Sequence, residues 1–113
     1  MSEKFLIKEA REREKIFREL NRYLEMIYKT VKELDKNAEV YLFGSVAEGK
    51  HLLSSDIDIL VVTDNIAPEI IILKLWEKGI KDPFEIHVVK KNMLSLYEQR
   101  SKLIKIEGYI EQN

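Results

Sequence analysis

Two aspartates, Asp56 and Asp58, flank a single isoleucine at the head of an apolar run, Asp56-Ile57-Asp58-Ile59-Leu60-Val61-Val62-Thr63. The β-branched content of this run predicts a strand. Successive strand side chains point to opposite faces, so the two carboxylates share one face and Ile57 and Ile59 share the other. Two like charges about 4 Å apart cost on the order of 4 kcal/mol at an effective dielectric of 20. Something must offset that cost: a shared proton, basic side chains or a divalent cation. A shared proton would make an aspartic dyad suited to acid chemistry. Basic neighbours in sequence are Lys50 and His51, both in the preceding loop. A hard cation is the most economical answer. Mg²⁺ takes carboxylate oxygens and completes its shell with waters and substrate phosphates.

Upstream, Gly44-Ser45 closes another apolar run, Glu39-Val40-Tyr41-Leu42-Phe43, and ten residues separate Ser45 from Asp56. Glycine lets the chain turn sharply and lets a ligand approach the main chain. Ser45 adds a hydroxyl donor. The N–H groups opening a short helix after it face outward and carry partial positive charge, so this corner reads as a phosphate cradle. Gly-Ser and Asp-x-Asp at this fixed spacing arise by chance in roughly one chain per thousand of this length, which sets the pair apart from a common turn. A third acid is expected where two metals act together. Glu85 is the candidate for third ligand and for general base, and His87, two residues on and on the same face, fits either role instead.

These groups must be held by elements the chain can build. At 113 residues and 45% hydrophobic it makes one domain with an ordinary core. Cysteine is absent, which excludes disulfides and thiolate metal sites and fits a reducing compartment. The charged N-terminal stretch has no apolar signal core, so a cytoplasmic protein is expected. A net charge of -1, from 19 basic and 20 acidic residues, gives no bulk drive toward nucleic acid.

Residues 4–36 contain neither Gly nor Pro, and Ile16, Leu20, Tyr23, Leu24, Ile27, Val31 and Leu34 recur at steps of three and four. That predicts one long amphipathic helix over about 1–36. Its charged first part is either a solvated extension or a protrusion that meets a partner. A catalytic core follows over 38–90. Its third helix begins at Pro68 and is capped by Gly79. Ile70, Ile71, Ile72, Leu73, Leu75 and Trp76 cover more than one face of that helix, which predicts burial on several sides. Phe84 to Val89 is a third strand. Asn92 is placed to cap a C-terminal helix over 92–107, with Gly108 as its stop. The expected fold is α/β (α+β), a small mixed sheet of three or four strands covered by helices.

The spacing Gly44-Ser45, ten residues, Asp56-Ile57-Asp58 resembles the signature of the DNA polymerase β-like nucleotidyltransferase superfamily. The short length and the Ser-Asp-Ile-Asp-Ile-Leu-Val-Val run make it most similar to the minimal nucleotidyltransferases of prokaryotes. Val46 stands where many relatives have arginine, and Glu85 where they more often have aspartate. The resemblance implies Mg²⁺-dependent transfer of a nucleoside monophosphate, AMP from ATP, to a hydroxyl. It implies metal ligation by Asp56, Asp58 and Glu85, and triphosphate contacts from Gly44 and Ser45. It also implies a HEPN-domain partner, for which such chains serve as antitoxin and which some of them adenylylate. The alternative is a catalytically weak module of the same fold that neutralises a HEPN partner by covering it. A homo-oligomeric enzyme acting on a small acceptor is a third possibility.

Overall fold

The computed structural model describes residues 3–52 and 55–112. Helix α1 (Glu3–Arg18) and helix α2 (Leu20–Leu34) are followed by strand β1 (Glu39–Phe43) and a single turn, α3 (Gly44–Ala47). Strand β2 (Ile57–Val62), helix α4 (Pro68–Glu77) and strand β3 (Phe84–Val89) complete the central unit. A 3₁₀ turn (Lys91–Met93) leads into α5 (Leu94–Arg100), strand β4 (Ile104–Lys105) and α6 (Ile106–Gln112). Among the described residues no helix is long and apolar enough to cross a membrane.

The strands form one mixed sheet in the order β3-β2-β1-β4, matching the expected small sheet under helices. β1 and β2 are antiparallel, with Phe43 opposite Asp58, and β2 and β3 are parallel, with Asp58 level with Glu85. The turn α3 and the loop behind it therefore return the chain from the end of β1 to the start of β2. Alternation sorts the side chains. Val40, Leu42, Ile57, Ile59 and Val61 pack beneath α2, α4 and α6 against Leu24, Ile27, Val31, Ile71, Leu75 and Ile106. Truncating a fully buried member of this cluster, such as Leu24 or Ile59, to alanine costs about 2–5 kcal/mol. On the opposite face Tyr41, Phe43, Leu60 and Val62 pack against Val89, Leu94, Tyr97 and Leu103. That face is half-covered, by α5 and the segment after it.

Four expectations change. The long first helix is interrupted at Glu19, whose ψ of 25° departs from helical geometry. Its amide still bonds the Lys15 carbonyl at 3.0 Å, so no composition break marks the place. The C-terminal helix stops at Arg100 rather than near residue 107. Ser101 is extended, and Ile104 and Lys105 pair with Leu42 and Tyr41 on the otherwise open edge of β1. Satisfying that edge outweighs continuing a helix. Gly108 consequently lies inside α6, and Asn92 lies in the 3₁₀ turn, with no side-chain capping bond to the helix.

Helix α4 is the fourth correction. Ile71 and Leu75 are buried, but Trp76 is 57% exposed, and Ile70 and Leu73 are exposed beside it. The sheet lies on one side of α4, and among the described residues no further layer covers Ile70, Leu73 and Trp76. The expected cap forms: Gly79, at φ +88°, donates to the Trp76 carbonyl, and Ile80 donates to the Leu75 carbonyl. Those two bonds are a Schellman motif, with Leu75 and Ile80 in apolar contact beneath it.

Candidate active site

The half-covered face of the sheet carries the polar residues. Asp58, Leu60 and Val62 alternate along β2, and Glu85, His87 and Val89 along β3. α5 closes over the far end of this face through Leu94 and Tyr97. The near end stays open, and Asp58, Glu85 and His87 stand there together.

One ligand atom from each of Asp58, Glu85 and His87 lies within 4.8 Å of the other two. His87 Nε2 is 3.6 Å from Asp58 Oδ1 and 3.4 Å from Glu85 Oε1. Among the described residues Nε2 is buried and has no hydrogen-bond partner. Phe43 holds the imidazole edge-on, with ring centroids 5.1 Å apart and planes at 71°. Tyr97 in turn packs at 90° on Phe43. The ring that carries the orphaned nitrogen is thus fixed from behind by two aromatics.

Asp58 is half-buried, and its pKa is raised. Burial is the main cause, followed by repulsion from Glu85; His87 opposes the shift and Asp56 adds to it. Asp56 precedes β2 and is exposed. It lies near enough to repel Asp58, but it is not in the three-residue group.

Gly44 turns the chain at the end of β1 with φ +74°. A Cβ there would overlap Oδ2 of Asp58 and lie 3.2 Å from its Cγ. The residue type is therefore dictated twice, by a left-handed backbone and by the carboxylate that fills the space. Ser45 is half-buried in the turn, and its carbonyl accepts the Lys50 amide at 2.9 Å. Val46 points into the main core.

A divalent cation fits this corner. Ligands about 2.1 Å from an octahedral ion lie about 3 Å apart when adjacent and about 4.2 Å when opposed. The 3.4 and 3.6 Å separations fall between those limits. The orphaned nitrogen and the raised carboxylate are each groups that a cation would satisfy.

Two supporting residues carried no recognisable sequence signal. Phe43 was read as strand core, yet it orients His87. Arg13 lies in the charged first helix, but its side chain is only 18% exposed. Its guanidinium bonds the Ser55 carbonyl at 3.4 Å and Asp82 at 3.2 Å. It thereby ties α1 to the segments that enter β2 and β3.

A nucleotidyltransferase domain model matches residues 24–112. No curated protein sequence matches the chain. Among solved structures, a candidate nucleotidyltransferase is 27% identical with a TM-score of 0.52, over 72% of this chain and 96% of that one. A candidate nucleotidyltransferase from Sulfolobus solfataricus is 26% identical with a TM-score of 0.53, over 83% of this chain and 84% of that one. Cid1, with RNA terminal uridylyl transferase activity, is similar in fold alone, at 22% identity and a TM-score of 0.51; the match covers 83% of this chain and 38% of Cid1. The matched span takes in every residue of the polar corner, and the chain belongs to the nucleotidyltransferase domain family of enzymes.

Proposed function

We propose that the chain transfers a nucleoside monophosphate, AMP from ATP, to a hydroxyl on a HEPN-domain partner and so acts as that partner's antitoxin. The observation that carries the transferase reading is the convergence of Asp58, Glu85 and His87 beside the Gly44 turn. Asp56, Asp58 and Glu85 are the proposed metal ligands, and Gly44 and Ser45 the proposed triphosphate contacts. A bound divalent cation such as Mg²⁺ would neutralise triphosphate charge and favour the alkoxide form of the acceptor.

In the transfer, the acceptor oxygen attacks the α-phosphorus in line. The bond from the α-phosphorus to the bridging oxygen breaks and pyrophosphate leaves. The hydroxyl proton passes to a carboxylate, for which Glu85, more exposed than Asp58, is proposed. Such a reaction needs positioning and charge neutralisation more than covalent help from the protein. The exposed apolar residues of α4, with Leu6 and Ile7 on α1, supply surface on which a protein acceptor can seat.

ATP labelled at the α-phosphate tests the reading. Label should move to the cognate partner in the presence of a divalent cation, and Asp58→Ala should abolish the transfer. Undiminished transfer by that variant would overturn the site assignment. A second reading has one observation in its favour: Val46 is buried in the core and offers a triphosphate nothing, at the place where many members of the resembled superfamily have arginine. In that reading the chain binds and covers its partner without chemistry. Calorimetry with Mg-ATP and growth rescue by Asp56→Asn separate the two, since full rescue without nucleotide binding fits only the covering module.

A further inference from the structure

The corner beside Gly44 contains a nitrogen that two carboxylates leave unused. His87 Nε2 is buried, lies 3.4 Å from Glu85 Oε1 and 3.6 Å from Asp58 Oδ1, and has no hydrogen-bond partner among the described residues. A charge-assisted hydrogen bond between an imidazolium and a carboxylate closes to about 2.7–2.9 Å. Neither contact does so. The ring is seated edge-on against Phe43, itself braced by Tyr97, so its direction is set by packing. One ligand atom from each of the three residues lies within 4.8 Å of the other two, which leaves room for an ion between them rather than a proton.

The donor set decides which ion. Mg²⁺ is a hard cation that takes oxygen ligands and keeps much of its water. Imidazole nitrogen favours first-row transition-metal dications, whose affinity for mixed nitrogen and oxygen sites exceeds that of Mg²⁺. We propose that His87 ligates the cation directly through Nε2, together with Asp58 and Glu85, and that the site thereby selects a transition-metal dication such as Mn²⁺ over Mg²⁺. This rests on the metal-dependent reading above and sharpens it. His87 becomes a ligand, and the nitrogen sets the preference.

Manganese serves as probe, because its electron spin reports a coordinated nitrogen directly. The metal-stripped full chain is titrated with Mn²⁺, with Mg²⁺ as competitor, and the bound ion is examined by electron spin-echo spectroscopy. Modulation from a coordinated imidazole ¹⁴N should appear, and should change to the ¹⁵N pattern in protein carrying ¹⁵N-histidine. In His87→Gln the nitrogen signature should vanish and the preference for Mn²⁺ over Mg²⁺ should shrink by about tenfold or more. Bound Mn²⁺ without nitrogen modulation in the wild-type chain overturns the inference and leaves the carboxylate reading standing. A preference unchanged in a folded His87→Gln chain overturns it as well. Failure of the wild-type chain to bind either ion overturns both. The wild-type spectrum decides the matter even if the variant does not fold.

Discussion

The main chain at Gly44 and the carboxylate of Asp58 occupy adjoining space: a Cβ on Gly44 would overlap Oδ2 of Asp58. The turn that ends β1 is thus shaped around a side chain that begins β2, and the antiparallel register places Phe43 opposite Asp58 to bring this about. Gly44→Ala should displace the carboxylate and reduce transfer by about a hundredfold, the scale of a 1 Å misplacement. Gly49 is a built-in control. Its φ of +71° imposes the same backbone strain, but among the described residues nothing lies within 4 Å of where its Cβ would sit. Gly49→Ala should lose about 1–2 kcal/mol of stability while keeping its activity. Transfer rates and urea midpoints of the two variants check this together, and equal activities would refute it.

Asp58 should weaken the fold it serves. Its folded pKa is raised, chiefly by burial and then by Glu85. A raised carboxylate pKa means the native state holds the proton more tightly than the unfolded chain does. Stability from this group is therefore full below the unfolded value of 3.8 and declines as pH rises through the folded one. At neutral pH, without divalent cations, Asp58→Asn should raise the melting temperature by about 3–6 °C. The same variant should lose the stabilisation that a divalent cation gives the wild-type chain, and lose transfer. Thermal melts with and without the cation read both effects. A variant less stable than wild type in metal-free buffer would contradict the electrostatic account.

The sequence made the strands legible because their signals are local. β1 and β3 fall at residues 39–43 and 84–89 as read, and β2 lacks only the terminal Asp56 and Thr63 of the expected run. Alternation alone puts Glu85 and His87 on one face of β3, but bringing them to the same side of the sheet and level with Asp58 needed the parallel register of β2 with β3. What stayed illegible depends on distant partners. Ile104 and Lys105 have no intrinsic strand pattern and become a strand because β1 has a free edge. Trp76 reads as core by type, and its exposure among the described residues depends on how the layers stack, which no periodicity encodes. Arg13 is one of many charges in α1, and only the folded chain brings it to Ser55 and Asp82.

Arg13 is accordingly a place where the first helix should influence a site it does not enter. Its bond to the Ser55 carbonyl fixes the peptide just before Asp56, and its pairing with Asp82 fixes the turn just before β3. Exposed ion pairs contribute little, but this guanidinium is mostly covered. Arg13→Ala should cost about 1–2 kcal/mol, and Arg13→Lys should restore less than half, because lysine lacks the planar fork. If the Ser55 contact positions Asp56, transfer should fall by several-fold in a background where overall folding is intact at the assay temperature. Unchanged kinetics alongside the stability loss would confine Arg13 to the fold.

At the other end of β2 a buried carboxylate, Asp35, has the opposite electrostatic character. Asp35, at the end of α2, accepts the Thr63 hydroxyl at 2.6 Å, the Asn37 amide at 3.0 Å and the Asn65 side-chain amide at 3.3 Å. These donors hold its pKa below the ordinary value, the Thr63 bond most of all and against the opposing effect of burial. A lowered carboxylate pKa contributes stability that is present above the unfolded value of 3.8 and is lost as pH falls through the folded one. Thr63→Val keeps the shape and removes the strongest donor. It should lower the stability measured by urea unfolding by about 1–2 kcal/mol at neutral pH, with an unchanged m-value. The gap should narrow at pH well below 3.8, where Asp35 is protonated in both proteins, and the part due to the Asn65 amide, which donates to Thr63 Oγ1 at 3.1 Å, should remain. Transfer should be unaffected at temperatures where both chains are folded, because Thr63 lies beyond the far end of β2 from Asp58. A gap that persists undiminished in acid would assign the loss to packing at Thr63 rather than to the charge of Asp35.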